Sequence, residues 1–260
     1  MTTTKATLYE VSGEAAWITL NRPDNRNALS ATLVDELYEH LASAEADDHV
    51  RAIIITGSGS AFCAGADLKN PPGSARDGRT SVPFQDVLTR ILDCSKPVIA
   101  AVNGAAFAGG LGLVGAADIA VSVADAKFSF SEVRIGVIPA VISVVCLPKL
   151  GTHHAMKLFL TGERFSGSDA VRMGFVHRAV PADELRRAVL EEIDMIRLGG
   201  PEAVKACKKL VREMGQFSRD KAFEHAGQWS RAMFDSAEGQ EGIAAFREKR
   251  APAWIRDDSQ

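Results

Sequence analysis

Two glycine-bearing segments and one carboxylate constrain this chain more than any other feature. The first segment is Ala61-Phe62-Cys63-Ala64-Gly65-Ala66-Asp67-Leu68. The second runs from Lys96-Pro97-Val98 to Asn103-Gly104 and on to Ala108-Gly109-Gly110. Glu132 follows in Phe128-Ser129-Phe130-Ser131-Glu132-Val133-Arg134-Ile135-Gly136. Small residues let a backbone approach its neighbour closely and aim N–H groups at a ligand. Two such groups converging on one oxygen, with a carboxylate nearby, make an oxyanion hole with a general base. Alone, Gly65 or Gly109 reads as a tight turn. Glu132 alone reads as a solvated acid or a partner of Arg134.

The surrounding pattern sets the fold class. Ala15–Leu20 reads as a strand, and Ser30 caps a helix that carries Leu33, Val34, Leu37 and Leu41 on one face. The β-branched run 52–56 reads as a buried strand, with Gly57 to Leu68 a loop leaving it. Val98–Val102, Ile119–Val123 and 175–180 read as further strands, the last after a short helix ended by Gly174. Gly110 reads as the start of another short helix. Strands alternating with helices predict an α/β core. Leu185, Val189, Ile193 and Ile196 have helical spacing, Gly199-Gly200-Pro201 ends that helix, and the rest to Arg250 reads as helices only. The division expected is a core over 1–198 and a C-terminal helical region over 199–260. Residues 70–81, with Pro71-Pro72-Gly73-Ser74, read as a mobile loop. Met195 and Met214 read as filling the helical core, and His153, His154 and His225 as surface or packing residues.

Composition excludes several classes. The 260 residues carry a formal net charge of −3 and a pI near 6.1, which argues against a general nucleic-acid binder. Cys63, Cys94, Cys146 and Cys207 form no C-x-x-C pair, so no metal site or dithiol motif is expected, and they read as reduced thiols of a cytoplasmic protein. No apolar run is long enough for a membrane span or follows the N-terminus as a signal peptide would. Gly110-Leu111-Gly112-Leu113-Val114-Gly115 matches G-x-G-x-x-G, but the expected tight strand before it and long helix after it are missing. No G-x-S-x-G elbow supports a serine hydrolase.

Taken in order, the motifs resemble the enoyl-CoA hydratase/isomerase (crotonase) family over nearly the whole chain. The resemblance begins at Ile18-Thr19-Leu20-Asn21-Arg22-Pro23 with Asn27-Ala28-Leu29, and ends at Phe246-Arg247-Glu248-Lys249-Arg250-Ala251-Pro252. It implies a spiral of β-β-α turns, a helical tail that joins a homotrimer or dimer of trimers, and an acyl-CoA thioester as substrate. CoA is then part of the substrate, and no separate cofactor, nucleic acid or membrane is implied. It places the oxyanion donors on Ala66 and Gly109 and the catalytic carboxylate on Glu132, whose apolar neighbours Phe128, Phe130, Val133 and Ile135 would raise its pKa. Arg26, Ala64, Ala66, Asp67, Leu68 and Lys249 become the CoA-binding candidates.

One departure matters. The family's second glutamate would fall at position 112, where this chain has Gly112. With Glu132 alone, one carboxylate could manage a syn addition of water to a short-chain or branched 2-enoyl-CoA, or shuttle a proton from C2 to C4 of a 3-enoyl-CoA. The stretch Ser131 to Ser143 resembles a hydratase branch in which some members lack the second acid, so hydration is the favoured reading. Ser143, Asp77 or Asp86 are candidates to hold the water. A CoA-binding scaffold without activity is the remaining alternative.

Overall fold

The computed structural model describes residues 5–76 and 79–255. The chain opens with a hairpin, β1 (Thr7–Ser12) and β2 (Ala15–Leu20), followed by helix α1 (Ala31–Ala46). Next come β3 (Ala52–Gly57) and β4 (Ala61–Cys63), the short ladder β5 (Ala75–Arg76) and β6 (Arg79–Thr80), and α2 (Phe84–Asp93). Two further turns follow: β7 (Val98–Val102), β8 (Ala105–Phe107) and α3 (Gly109–Ala116), then β9 (Ile119–Val123), β10 (Lys127–Ser129) and α4 (Ala140–Thr161). The core closes with β11 (Phe165–Ser166), α5 (Gly167–Arg172), β12 (Arg178–Val180) and α6 (Leu185–Leu198). The tail is α7 (Pro201–Glu213), α8 (Arg219–Asp235) and α9 (Ala237–Glu248).

Both strands of the opening hairpin lie in one sheet, and the pairs β3–β4, β7–β8 and β9–β10 then each send one strand to each of two sheets. The larger sheet has the order β1-β2-β3-β7-β9-β12 and is parallel except for β1. The smaller has the order β11-β10-β8-β4, with β4, β8 and β10 parallel. The expected spiral is therefore present. β7 is buried at every position, as a strand covered on both faces must be. Ser30 caps α1 by accepting from Leu33 N–H, and Leu33, Val34, Leu37 and Leu41 are all fully buried.

The sequence reading needs five adjustments. Residues 70–81 are not all loop, because Ala75–Arg76 pairs with Arg79–Thr80. Residues 57–68 are not all loop, because Ala61–Cys63 pairs with β8. The strand expected over 175–180 is confined to Arg178–Val180. Helix α3 begins at Gly109, one residue before Gly110. Met195 is 68% exposed, so in the single chain it fills no core; Met214 is half-buried.

The tail is tied to the core by charge. Asp118, at the entrance to β9, accepts from Val98 N–H at 2.8 Å, and pairs with Lys208 and Arg212 of α7, each at 2.7 Å. Lys208 also donates to the carbonyls of Ile91 and Lys96. Glu238 of α9 accepts from the N–H groups of Glu202 and Ala203, in the first turn of α7, where a negative charge meets the positive end of the helix dipole. By contrast α7 and α8 bury no residue, and Phe223, Phe234 and Phe246 lie open.

Lys208 is 7% exposed on its side chain, so the ammonium can lose its partners but cannot regain water. Lys208→Met should lower unfolding stability by about 2 kcal/mol, the scale of charge-assisted hydrogen bonds lost from a buried group. A urea denaturation curve reads this directly; an unchanged midpoint would show that the clamp contributes nothing.

Candidate active site

Three segments leave the C-terminal ends of three neighbouring parallel strands. Gly65 and Ala66 follow β4, Ala108 and Gly109 follow β8, and Glu132 follows β10. Adjacent strands lie about 4.8 Å apart, so the topology brings residues 66, 109 and 132 to one edge of the smaller sheet. In open α/β sheets this is the edge at which ligands bind.

Gly65 has φ +93°, and a Cβ there would stand 2.9 Å from Ala108 Cβ and 3.1 Å from the Phe107 carbonyl. Only glycine fits both the angle and the space. Across from it, Ala108 has φ 48° and ψ −119°, a region ordinarily left to glycine. Such strain persists where the surroundings over-determine it, and it clusters at functional sites. Ala108 is held by its N–H on the Ser129 carbonyl and by its own carbonyl accepting from Leu111 N–H at 2.8 Å. The turn delivers Gly109 as the first residue of α3.

Among the described residues, neither Ala66 N–H nor Gly109 N–H has an intramolecular acceptor. Leu29 N–H donates to the Gly65 carbonyl, and Asp67 N–H to the Leu29 carbonyl. That bridge uses the groups on either side of Ala66 and leaves its own N–H free. Gly109 N–H is free because it opens a helix, where the first donors have no partner.

Glu132 lies in a 3₁₀ turn, Ser131–Ile135, whose approach is anchored by buried aromatics. The Phe130 ring packs 4.6 Å from that of Phe159, and Ser129 Oγ donates to the Gly162 carbonyl. Glu132 Oε2 is buried and has no hydrogen-bond partner. Arg134 does not pair with it; the Arg134 Nε lies instead beside Gly162. Burial pushes the Glu132 carboxyl above its ordinary value, against a smaller opposing effect of its own backbone N–H. Phe128 and Phe130 are buried as expected, while Val133 and Ile135 point outward.

Position 112 is filled from outside. A Cβ on Gly112 would stand 2.5 Å from Ile142 Cγ2 and 3.3 Å from Phe84 Cε1. The position where the family resemblance would put a second acid is thus an apolar contact between α2, α3 and α4. The water-holding candidates change accordingly. Ser143 follows Ile142 and donates to the Ala140 carbonyl, which leaves its oxygen able to accept. Asp86 lines a separate cavity of about 280 Å³ with Tyr38, Glu45 and Arg90. Asp77 lies outside the described residues.

The CoA candidates divide into two groups. Ala64 donates its N–H to the Arg26 carbonyl, and its own carbonyl is left open. Arg26 is exposed, and Leu68 is 77% exposed. Asp67, however, is committed internally. Its Oδ2 accepts from Arg22 at 3.0 Å, and its Oδ1 from the N–H groups of Lys69 and Asn70. Burial pushes its carboxyl up, but these hydrogen bonds outweigh that and hold it below the usual range. Its side chain braces the loop, a role that sequence reasoning missed along with Arg22. Lys249 caps α9 at φ 56°, and no hydrogen bond or ion pair joins it to the Arg22–Leu68 cluster among the described residues.

Cys63 borders the site. Burial raises its thiol to about 12, against a smaller effect of the Gly65 N–H, so it stays protonated. No group of His, Cys, Asp or Glu suited to a metal occurs among the described residues.

The enoyl-CoA hydratase/isomerase family profile matches residues 10–257. An enoyl-CoA hydratase of Mycobacterium tuberculosis is 36% identical over 251 residues, covering 94% of each chain. A carnitinyl-CoA dehydratase of Proteus mirabilis is 35% identical, over 93% of this chain and 95% of that one. Among solved structures, an enoyl-CoA hydratase of Mycobacterium smegmatis superposes with a TM-score of 0.88 at 31% identity, over 96% of this chain and 99% of that one. The chain belongs to the enoyl-CoA hydratase/isomerase family.

The raised pKa of Glu132 has a thermodynamic sign. A carboxyl raised on folding adds stability below its unfolded value, near 4.5, and loses it as pH climbs through the folded value. Glu132→Gln removes that dependence. The variant should be more stable than wild type at about pH 8, and the advantage should vanish near pH 4. Urea midpoints at the two pH values check this. A variant less stable at pH 8 would contradict the burial of an unpartnered charge.

Proposed function

We propose that the protein is an enoyl-CoA hydratase acting on a short-chain or branched 2-enoyl-CoA. The observation that carries this reading is the Glu132 carboxyl, whose buried Oε2 has no partner, at a strand end adjacent to those that deliver two unpartnered N–H groups. The names of the relatives support it, since both the hydratase and the dehydratase move water across a CoA thioester.

In the proposed reaction, the thioester oxygen sits between Ala66 N–H and Gly109 N–H. Glu132, as carboxylate, takes a proton from water while the water oxygen bonds to C3. The π electrons of the double bond move to the thioester as an enolate. The two donors and the positive end of α3 stabilise that charge, and losing one such donor costs about 10²–10³ in rate. Glu132, now protonated, gives its proton to C2 on the same face. One carboxyl can serve both steps because burial brings its two protonation states closer in energy. The chemistry needs no group beyond thioester, water and Glu132. Arg26 reaches a CoA phosphate, the Ala64 carbonyl meets the adenine edge, Leu68 covers the nucleotide, and Lys249 completes the site.

The apolar seat at Gly112 favours a second reading. An isomerase needs one base and no bound water, and Ile142 offers water no polar partner. Following a 2-enoyl-CoA and the matching 3-enoyl-CoA by chromatography in one buffer separates the two. Hydration should outpace isomerisation. Faster conversion of the 3-enoyl ester would give the site to the isomerase. On either reading Glu132→Gln should nearly abolish turnover and leave ester affinity close to wild type; near-normal kcat would remove Glu132 from the mechanism, and no turnover by the wild-type protein would leave a scaffold.

The assembly is proposed to be a homotrimer or dimer of trimers built through residues after Pro201. Open Phe223, Phe234 and Phe246, on helices that bury almost nothing, support it. Light scattering at micromolar concentration should give three or six chains; a monomer would contradict it. No helix among the described residues is long and apolar enough to cross a membrane.

A further inference from the structure

We propose that Leu29 is the positioning residue that sets the spacing between the two oxyanion donors. The inference rests on the reading of Ala66 and Gly109 just given. Leu29 is the residue that grips both donor segments, each by a different part of itself. Its N–H donates to the Gly65 carbonyl at 2.8 Å, and its carbonyl accepts from Asp67 N–H at 3.0 Å. Backbone groups of successive extended residues point to opposite sides. Pinning 65 and 67 toward Leu29 therefore turns the Ala66 N–H away from it, into the open. Meanwhile the Leu29 side chain lies against Gly109: Cδ1 is 2.8 Å from the point where a Cβ would sit. Phe84 Cε1 is 3.5 Å from that point and Gly65 Cα 3.8 Å, so Gly109 is held by Leu29, Phe84 and Gly65 together.

Leu29 is itself immobilised. It is 1% exposed and stands between two fixed neighbours. Asn27, fully buried, donates to the carbonyls of Ser58 and Ala61 and accepts from Arg22 N–H. Ser30 caps α1. Backbone and side chain of one residue thus link the end of β4 to the first turn of α3. Leu29 touches neither substrate nor reacting atoms in this arrangement. Its effect passes through the distance between two N–H groups, and an error of about 1 Å at such a distance costs about 10²-fold.

The test compares full-length wild type with Leu29→Ala, Leu29→Val and Leu29→Met. Truncation to Ala removes the contact with Gly109, Val removes the δ carbons while keeping bulk near the backbone, and Met keeps an atom at the δ position. Each protein is assayed for turnover of a 2-enoyl-CoA, for its pH–rate profile, and for binding of two esters of equal length. One ester is a 3-oxoacyl-CoA, which ionises to an enolate; the other is the saturated acyl-CoA, which cannot. For Leu29→Ala we expect kcat to fall about 10- to 100-fold, with KM near wild type and the Glu132 limb of the pH profile unmoved. The preference for the 3-oxoacyl ester should fall in parallel, and Leu29→Met should recover most of both. If Leu29→Ala does not fold, Leu29→Val carries the same comparison with a smaller loss. Equal weakening of both esters, or unchanged kcat in a folded Leu29→Ala or Leu29→Val, would overturn the proposal. A wild-type protein that does not prefer the 3-oxoacyl ester would instead remove the oxyanion pair, and the role of Leu29 with it.

Discussion

The site depends on one close approach, that of residues 63–66 to residues 107–109. Gly65 at φ +93° leaves 2.9 Å between a would-be Cβ and Ala108 Cβ, so the two segments meet with only the Ala108 methyl group between them. The placing of both N–H donors follows from this contact. It lies just beyond the last β4–β8 pair, Cys63 with Ala106, where the two parallel strands end after a shift in register. It also forces Ala108 into a strained turn, from which α3 starts with its first N–H unspent. Phe62, Phe128 and Phe130, on or just beyond the smaller sheet, are fully enclosed.

Glu132 and Asp67 show how two carboxylates near one site are set apart. Asp67 is surrounded by donors and stays charged, which suits a brace for a loop. Glu132 has no donor for one oxygen and is pushed toward the neutral form, which suits a group that must exchange protons. The difference arises from backbone placement. The turn after Asp67 folds back so that two N–H groups reach its carboxyl, whereas the 3₁₀ turn that holds Glu132 offers its carboxyl only the N–H of Glu132 itself, too little to offset burial.

Much of the fold was legible in the sequence. The β-branched runs of β3, β7 and β9 and the heptad-like face of α1 are strong local signals, and the ordered motifs around Gly65, Gly109 and Glu132 marked the site segments. The misreadings have local causes. Ala61–Cys63 is too short for alternation to show, and His177 N–H is already spent on the Ala120 carbonyl before β12 pairs at Arg178. Met195 lies about 200° around α6 from the buried Ile193, so helical spacing turns it outward, and only its apolar residue type suggests a core position. Leu29, Phe84 and Ile142 could not be picked out, because what distinguishes them is contact across 80, 25 and 30 residues of chain with Gly109 and Gly112. Leu29 lay in a quoted motif and Ile142 in a quoted stretch, yet each reads locally as one more core aliphatic.

Ile142 in the seat of an absent side chain also bears on how such a site can change over generations. Residues 112 and 142 share one volume, so neither is free to vary without the other. Adding an acid at 112 first would drive its Cβ into Ile142; trimming Ile142 first would open a void of the kind that costs about 2–5 kcal/mol. A lineage with glycine and isoleucine at these places is therefore separated from a two-acid ancestor or descendant by a valley rather than a slope. The one-carboxylate site is, in that sense, a ratchet: easy to keep once formed, and hard to leave by single steps.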